Sequence, residues 1–262
     1  MTRLVSGVAL AAAALAAILF LPSFGLRVIA CCVAALGAHE YLGIVEPKRR
    51  AAIDALPILV LVALVCWSFS DGSQGSPGVI GVQWLLLVGV GWAALEVVWR
   101  RFPVARVRAR LLAPLYLGMP LGMLAAVQME GGRVATLLLI ASVVVSDSAQ
   151  YYSGRRFGRR PLAPTISPKK TIEGAVGGLL IGTAFITVAG SWVFPAAGPG
   201  SLVLLGVAVV VLGICGDLFE SRLKRAAGVK DSSGLIPGHG GVLDRIDALL
   251  FGIPAYYVYL LS

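Results

Sequence analysis

The chain has 262 residues, of which 58% are hydrophobic and only 13% charged. A soluble domain carries about 25% charged residues, so the composition excludes an ordinary soluble protein and indicates a membrane protein of roughly eight to ten spans. The formal net charge of +9 does not indicate nucleic acid, because Lys and Arg collect in the short cytoplasmic loops of any multispanning protein.

Residues 4–21 form the first apolar run. One arginine precedes it, as in a signal peptide, but a second apolar run follows at once, so it reads as an uncleaved first span. Further runs cover 26–45, 51–70, 79–99, 111–128, 134–152, 172–194, 202–220 and 242–261. Helices are expected, since backbone groups in lipid must be satisfied within their own segment, and no run shows the ten-residue alternation of a membrane barrel. The expectation is an all-α integral membrane protein with about nine transmembrane helices. No repeat or long linker divides it, so residues 1–262 read as one polytopic domain, with N-terminal spans in 1–130 and the active-site loops in 131–262. Cys31, Cys32, Cys66 and Cys215 lie inside apolar runs without zinc spacing and read as packing residues free of disulfides.

The loops alternate in character. "PSFG", "DGSQGSPG", "MEGGR" and "PAAGPG" are poor in cations. "EPKRR", "RRFPVARVRAR", "SGRRFGRRPLAPTISPKK" and "SRLKRAAGVKDSSGLIPGHGG", with Arg3 and Arg245, hold 20 of the 22 Lys and Arg residues; Arg27 and Arg133 are the others. Nine spans with a cytoplasmic N-terminus put every basic loop on the cytoplasmic side of the cell membrane.

Two of these loops carry more than cations. Asp217, Ser221 and Lys224 recur at i, i+4, i+7 and share a helix face at the end of the eighth run. Asp244 and Asp247 share a face at the start of the ninth. Packing of those helices would bring three carboxylates together, and oxygen ligands of this kind suit Mg²⁺, which takes one or two carboxylates plus substrate phosphates. The plain alternative is that each acid pairs with Lys224, Arg225 or Arg245, or faces water.

"GLIPGHGG" places Gly240 and Gly241 directly before the ninth helix, where exposed amides make a phosphate site. As punctuation between helices the same glycines need no function. His239 suits a phosphate contact or a brace for the turn better than a general base. His39 and Glu40, in the second run, read as structural. Upstream, "SPKKT" offers Ser167, Lys169 and Lys170 as a second anion site before the seventh helix, and Asp147 lies at the inner end of the sixth run. Glu173 suits the helix dipole as well as it suits catalysis. No serine or cysteine nucleophile with a histidine base is visible. Together the residues suggest phosphate chemistry with Mg²⁺.

At these residues the sequence resembles the phosphatidate cytidylyltransferases, or CDP-diacylglycerol synthases. "SRLKRAAGVKDSSGLIPGHGGVLDRID", Ser221 to Asp247, matches that family's pattern without a gap. "ISPKKTIEG" and "SDSAQYYSGRRFG" resemble two further family elements. Gln150 stands where the family usually has Ala, and Ile172 where an aromatic is common. The resemblance implies transfer of the cytidylyl group of CTP to phosphatidate, giving CDP-diacylglycerol and pyrophosphate for phospholipid synthesis. It implies Asp217, Ser221, Lys224, Asp231, Asp244 and Asp247 as the catalytic set, with Asp217, Asp244 and Asp247 as Mg²⁺ ligands and Asp231 as a further ligand or a partner to Lys230; a second metal or a monovalent cation is left open. Lys169, Lys170, Ser167, Arg225, Lys230, His239, Gly240 and Gly241 are the implied substrate contacts. It implies a homodimer as well. Two rivals are weighed against it. Another CTP-dependent lipid or polyprenol transferase or kinase would need His239 as a base. A transporter using the inner-face acids would show paired broken helices in two repeats.

Overall fold

The computed structural model describes residues 2–46, 55–70 and 104–262. In chain order the helices are α1 (Thr2–Phe20), α2 (Ser23–Val45), α3 (Leu56–Phe69), α4 (Val104–Ala113), a π-helical turn (Pro114–Gly118) and α5 (Met119–Phe157). Strands β1 (Pro161–Ala163) and β2 (Ser167–Thr171) follow, then α6 (Ile172–Val193), α7 (Pro199–Ala226) and α8 (Leu243–Leu261). The protein is thus mostly helical. Four helical stretches among the described residues are long and apolar enough to cross a membrane: Ser23–Val45, Val107–Phe157, Ile172–Val193 and Pro199–Ala226. The expected fourth run, 79–99, and the start of the third, 51–54, lie outside the described residues, as do the loop positions 47–50 and 71–78.

Local chemistry sets the boundaries. Pro22, in extended conformation, precedes α2 and cannot continue α1. Pro57 opens α3, where its missing N–H costs nothing. Pro114 begins the π-turn, because its ring denies the helix one hydrogen bond. The expected fifth and sixth runs form one stretch, Val107–Phe157, interrupted where Gly132 leaves helical geometry at φ 76° and ψ −179°. Only glycine adopts that backbone without strain.

Contacts divide the chain into two compact units. The first comprises Met1–Glu130 and Ala227–Arg245, so the polar segment after α7 packs with the N-terminal helices. Its core holds a buried ion pair. Arg110 donates from Nε to Glu46 Oε1 at 2.6 Å and from Nη2 to Glu46 Oε2 at 3.0 Å. The two side chains are 2% and 3% exposed. Both come from loops that sequence alone assigns to basic, solvated connections. Tyr41 seals the same end, donating to Ala109 O at 2.9 Å and stacking edge-on against Tyr116.

The second unit comprises Gly131–Ala226 and Ile246–Ser262. Gly174, Gly178, Gly182, Ile186 and Gly190 form a buried i, i+4 stripe on α6. Small residues at such a stripe let membrane helices approach closely. Gly178 lies against the Gln150 side chain and Gly182 against Ser146 and Val210, so α5 and α7 both seat on this stripe. Gln150, a departure from the family pattern, is therefore accommodated by Gly178. Ile172, the other departure, is exposed and has little packing to disturb.

The basic loop before α6 is an antiparallel hairpin, not an irregular connection: Pro161 pairs with Thr171 and Ala163 with Ser167. A two-stranded sheet consists only of edges, which is where prolines 161 and 168 are tolerated. Thr171 then caps α6, its hydroxyl accepting from Gly174 N at 3.1 Å.

Candidate active site

In the second unit, the polar residues cluster around Asp217. Gly216 brings α7 against α8 so closely that a Cβ there would lie 2.5 Å from the carbonyl oxygen of Asp247. The next residue, Asp217, is thereby set beside Asp247, and each carboxylate lies within electrostatic reach of the other. Asp147, on α5, lies within reach of both. Its Oδ1 accepts from Gln150 Nε2 at 3.0 Å.

Two lysines offset these acids. Lys170 forms an ion pair with Asp217 Oδ2, and both side chains are partly exposed. Ser221 donates to Asp217 Oδ1 at 3.3 Å. Lys224 donates to Glu220 Oε2 at 2.9 Å across one turn of α7, and both residues are buried. Glu220 also lies within hydrogen-bonding reach of the Asp247 carboxyl, and its Oε1 is buried with no N–H or hydroxyl donor among the described residues. Lys169 and Lys170 alternate along β2: Lys169 is exposed, while Lys170 turns in towards Asp217. Ser167 pairs with Ala163 in the hairpin. Arg225 Nε donates to Ile166 O at 3.3 Å, joining α7 to the hairpin turn. Glu173 joins the hairpin from the other side, its Oε2 accepting from Arg159 N at 3.0 Å and Arg160 N at 3.2 Å. That is a structural clamp at the start of α6.

This donor set fits a hard divalent cation. It consists of carboxylate and hydroxyl oxygens, and one buried carboxylate oxygen has no N–H or hydroxyl donor among the described residues. No three acids, histidines or cysteines among the described residues are arranged to enclose an ion. Two carboxylates with the remaining positions left to substrate phosphate and water is the usual mode for Mg²⁺.

In the first unit, the segment Ala227–Arg245 is organised by two carboxylates. Asp244 Oδ2 accepts from Ser232 N at 2.9 Å, Ser232 Oγ at 2.8 Å and Gly241 N at 2.8 Å. Glu40, from α2, accepts from Val242 N at 3.0 Å and Leu243 N at 2.8 Å. Of the amides at this helix start, those of Gly241, Val242 and Leu243 are thus committed to protein carboxylates. Gly240 has φ 81°, and a Cβ on it would collide with Asp244; one on Gly241 would collide with Glu40 and Ser232. Carboxylate approach is what requires these two glycines.

His239 is braced. Its Nδ1 shares a 2.8 Å hydrogen bond with Ser6 Oγ, its amide donates to Ile236 O, and its ring lies on Gly7. Arg245 donates to its carbonyl at 2.8 Å. Lys230 and Asp231 are exposed, with Asp231 next to Gly240. The i, i+4 spacing of Glu220 and Lys224 is the local signal of their pair, whereas the link from Glu40 to Val242 and Leu243 spans about two hundred residues and leaves no local trace.

A family model described as the Cytidylyltransferase family matches residues 1–262. The chain is 32% identical over 280 residues to the phosphatidate cytidylyltransferase of Haemophilus influenzae, covering 98% of this chain and 97% of that one. It is 41% identical over 226 residues to the phosphatidate cytidylyltransferase of Helicobacter pylori strain 26695, covering 84% and 78%. Against the Pseudomonas aeruginosa phosphatidate cytidylyltransferase the identity is 33% over 237 residues, covering 86% and 83%.

Proposed function

The chain belongs to the Cytidylyltransferase family, and from that membership we propose that it is a membrane enzyme transferring the cytidylyl group of CTP to phosphatidate. The observation that carries the reading is the second unit's cluster, in which Asp217, Asp247 and Glu220 are interleaved with Lys170 and Lys224. Joining two polyanions needs this mixture of signs. Carboxylates recruit a cation, and ammonium groups neutralise phosphates.

In the reaction, a phosphate oxygen of phosphatidate forms a bond to the α-phosphorus of CTP. The bond from that phosphorus to the bridging oxygen breaks, and pyrophosphate leaves with the electron pair. The nucleophile is already an anion, so no strong base is required; positioning and electrostatic stabilisation supply the rate. Asp217 and Asp247 would hold Mg²⁺; Asp244, the third ligand the resemblance implies, is left out of this set because its Oδ2 accepts from Ser232 and Gly241. When bound, that ion supplies positive charge that draws electron density from the phosphoryl oxygens. Lys170 holds Asp217 in place and offers its ammonium to phosphate; Arg225 and Lys169 extend the positive surface, while the buried Lys224 balances Glu220. Ser221 orients Asp217. Lys230 and Asp231, exposed on the 227–245 segment, are proposed nucleotide contacts, while Asp244, Gly240, Gly241 and His239 shape that segment.

An alcohol acceptor would call for a base, and the braced His239 is ill suited to that role. This favours phosphatidate over a lipid alcohol. The cation-rich loops support nine spans, a cytoplasmic N-terminus and a site open to cytosolic CTP at the cell membrane. The proposed homodimer rests on the family resemblance, and cross-linking in native membranes tests it. Incubation of the detergent-purified protein with labelled CTP, phosphatidate and Mg²⁺ tests the function itself: labelled CDP-diacylglycerol is expected.

A further inference from the structure

Glu40 lies within the apolar helix α2 and is 5% exposed. A buried carboxylate is tolerated only when its lone pairs are filled, and it has about four acceptor positions. Four donors approach it here, two at each oxygen. Oε1 takes Ser233 Oγ at 2.7 Å and Val242 N at 3.0 Å. Oε2 takes Ser232 Oγ at 3.1 Å and Leu243 N at 2.8 Å. The Ser232 hydroxyl also reaches Asp244 Oδ2, and its single proton serves one of them at a time.

These donors lie at opposite ends of one segment. Ser232 and Ser233 follow Lys230 and Asp231, while Val242 and Leu243 open α8. The carboxylate thereby closes residues 232–243 into a loop and also places a negative charge at a helix N-terminus, where it is favoured.

We propose that Glu40 is a positioning residue for cytidylyl transfer. It touches no substrate; it clamps the 232–243 segment at both ends and so fixes the presentation of Lys230 and Asp231 to the nucleotide. The inference rests on the proposed function for its kinetic consequence. Asp244 and Gly241 complete the clamp, since Gly241 leaves no room for a Cβ beside the Glu40 oxygens.

Glu40→Gln separates the possibilities. Glutamine keeps one oxygen and turns an NH₂ donor towards two of the existing donors. In the full-length protein in detergent, Glu40→Gln should raise KM for CTP roughly tenfold or more, from the two hydrogen bonds lost. KM for phosphatidate should change less than twofold. Hydrogen exchange of the 232–243 amides should quicken in the same protein without substrate. Ser233→Ala should act in the same direction with a smaller change, and it decides the matter if Glu40→Gln does not fold. An unchanged KM for CTP, with kcat reduced only in proportion to the folded fraction, would show a purely structural glutamate and overturn the proposal. So would unchanged exchange across 232–243. A wild-type protein that makes no CDP-diacylglycerol refutes the proposed function instead, and the exchange measurement then still tests the clamp.

Discussion

Lys170, on strand β2, forms an ion pair with Asp217 on helix α7. The contact joins two motifs 47 residues apart, the "SPKKT" hairpin strand and the end of the eighth apolar run. It is the link that turns two basic loops into one cluster. Both side chains are partly exposed.

The carboxylates should be separable from folding. Asp217→Asn and Asp247→Asn each remove a charge and keep the shape. Each variant should elute and melt like the wild type while losing at least about a hundredfold in kcat, the scale of losing an electrostatic group at a reacting phosphate. Near-normal turnover in either variant would remove that residue from the site.

Gly216 sets the approach of α7 to α8. A Cβ there would meet the Asp247 backbone, which cannot rotate away as a side chain would. Gly216→Val should therefore separate Asp217 from Asp247, costing about 1–3 kcal/mol of stability by overpacking and far more in activity. Activity assays paired with thermal unfolding will show whether turnover falls out of proportion to stability.

Arg110 and Glu46 make the opposite case, a pair that matters to folding alone. Arg110→Ala leaves a buried carboxylate without its bidentate partner and should cost about 3–5 kcal/mol. Thermal unfolding in detergent should show a clear fall in Tm, whereas KM for CTP in the folded fraction should be unchanged.

His239 should not behave as a base. His239→Asn loses part of the brace to Ser6 but removes no proton acceptor from the chemistry. The loss in kcat should stay under about tenfold, with the pH profile of kcat keeping its shape. Loss of an acid limb in that profile would favour the alcohol-acceptor reading.

Some of this was legible in sequence because the physics is local. Apolar runs become helices since lipid leaves the backbone no other partner. The motif from Ser221 to Asp247 carries its chemistry in a fixed spacing. What could not be read depends on contacts distant along the chain. Glu40 in a hydrophobic run looks like one costly acid until the amides of Val242 and Leu243 are seen on it. Gly240 and Gly241 resemble a phosphate cradle because glycine next to a helix start has the same appearance whether a substrate anion or a protein carboxylate fills the space. The hairpin at 161–171 was hidden by its prolines, which argue against a strand everywhere except at an edge. Arg110 counted among the solvated cations of a basic loop, since nothing local marks which arginine of five finds a buried partner.

The most direct test of the account is product identification with the purified protein, CTP labelled at the α-phosphate, phosphatidate and Mg²⁺. Labelled CDP-diacylglycerol and unlabelled pyrophosphate are expected in equal amounts, with both abolished by Asp217→Asn. Absence of CDP-diacylglycerol, together with phosphorylation of a lipid alcohol when γ-labelled CTP is supplied, would contradict it.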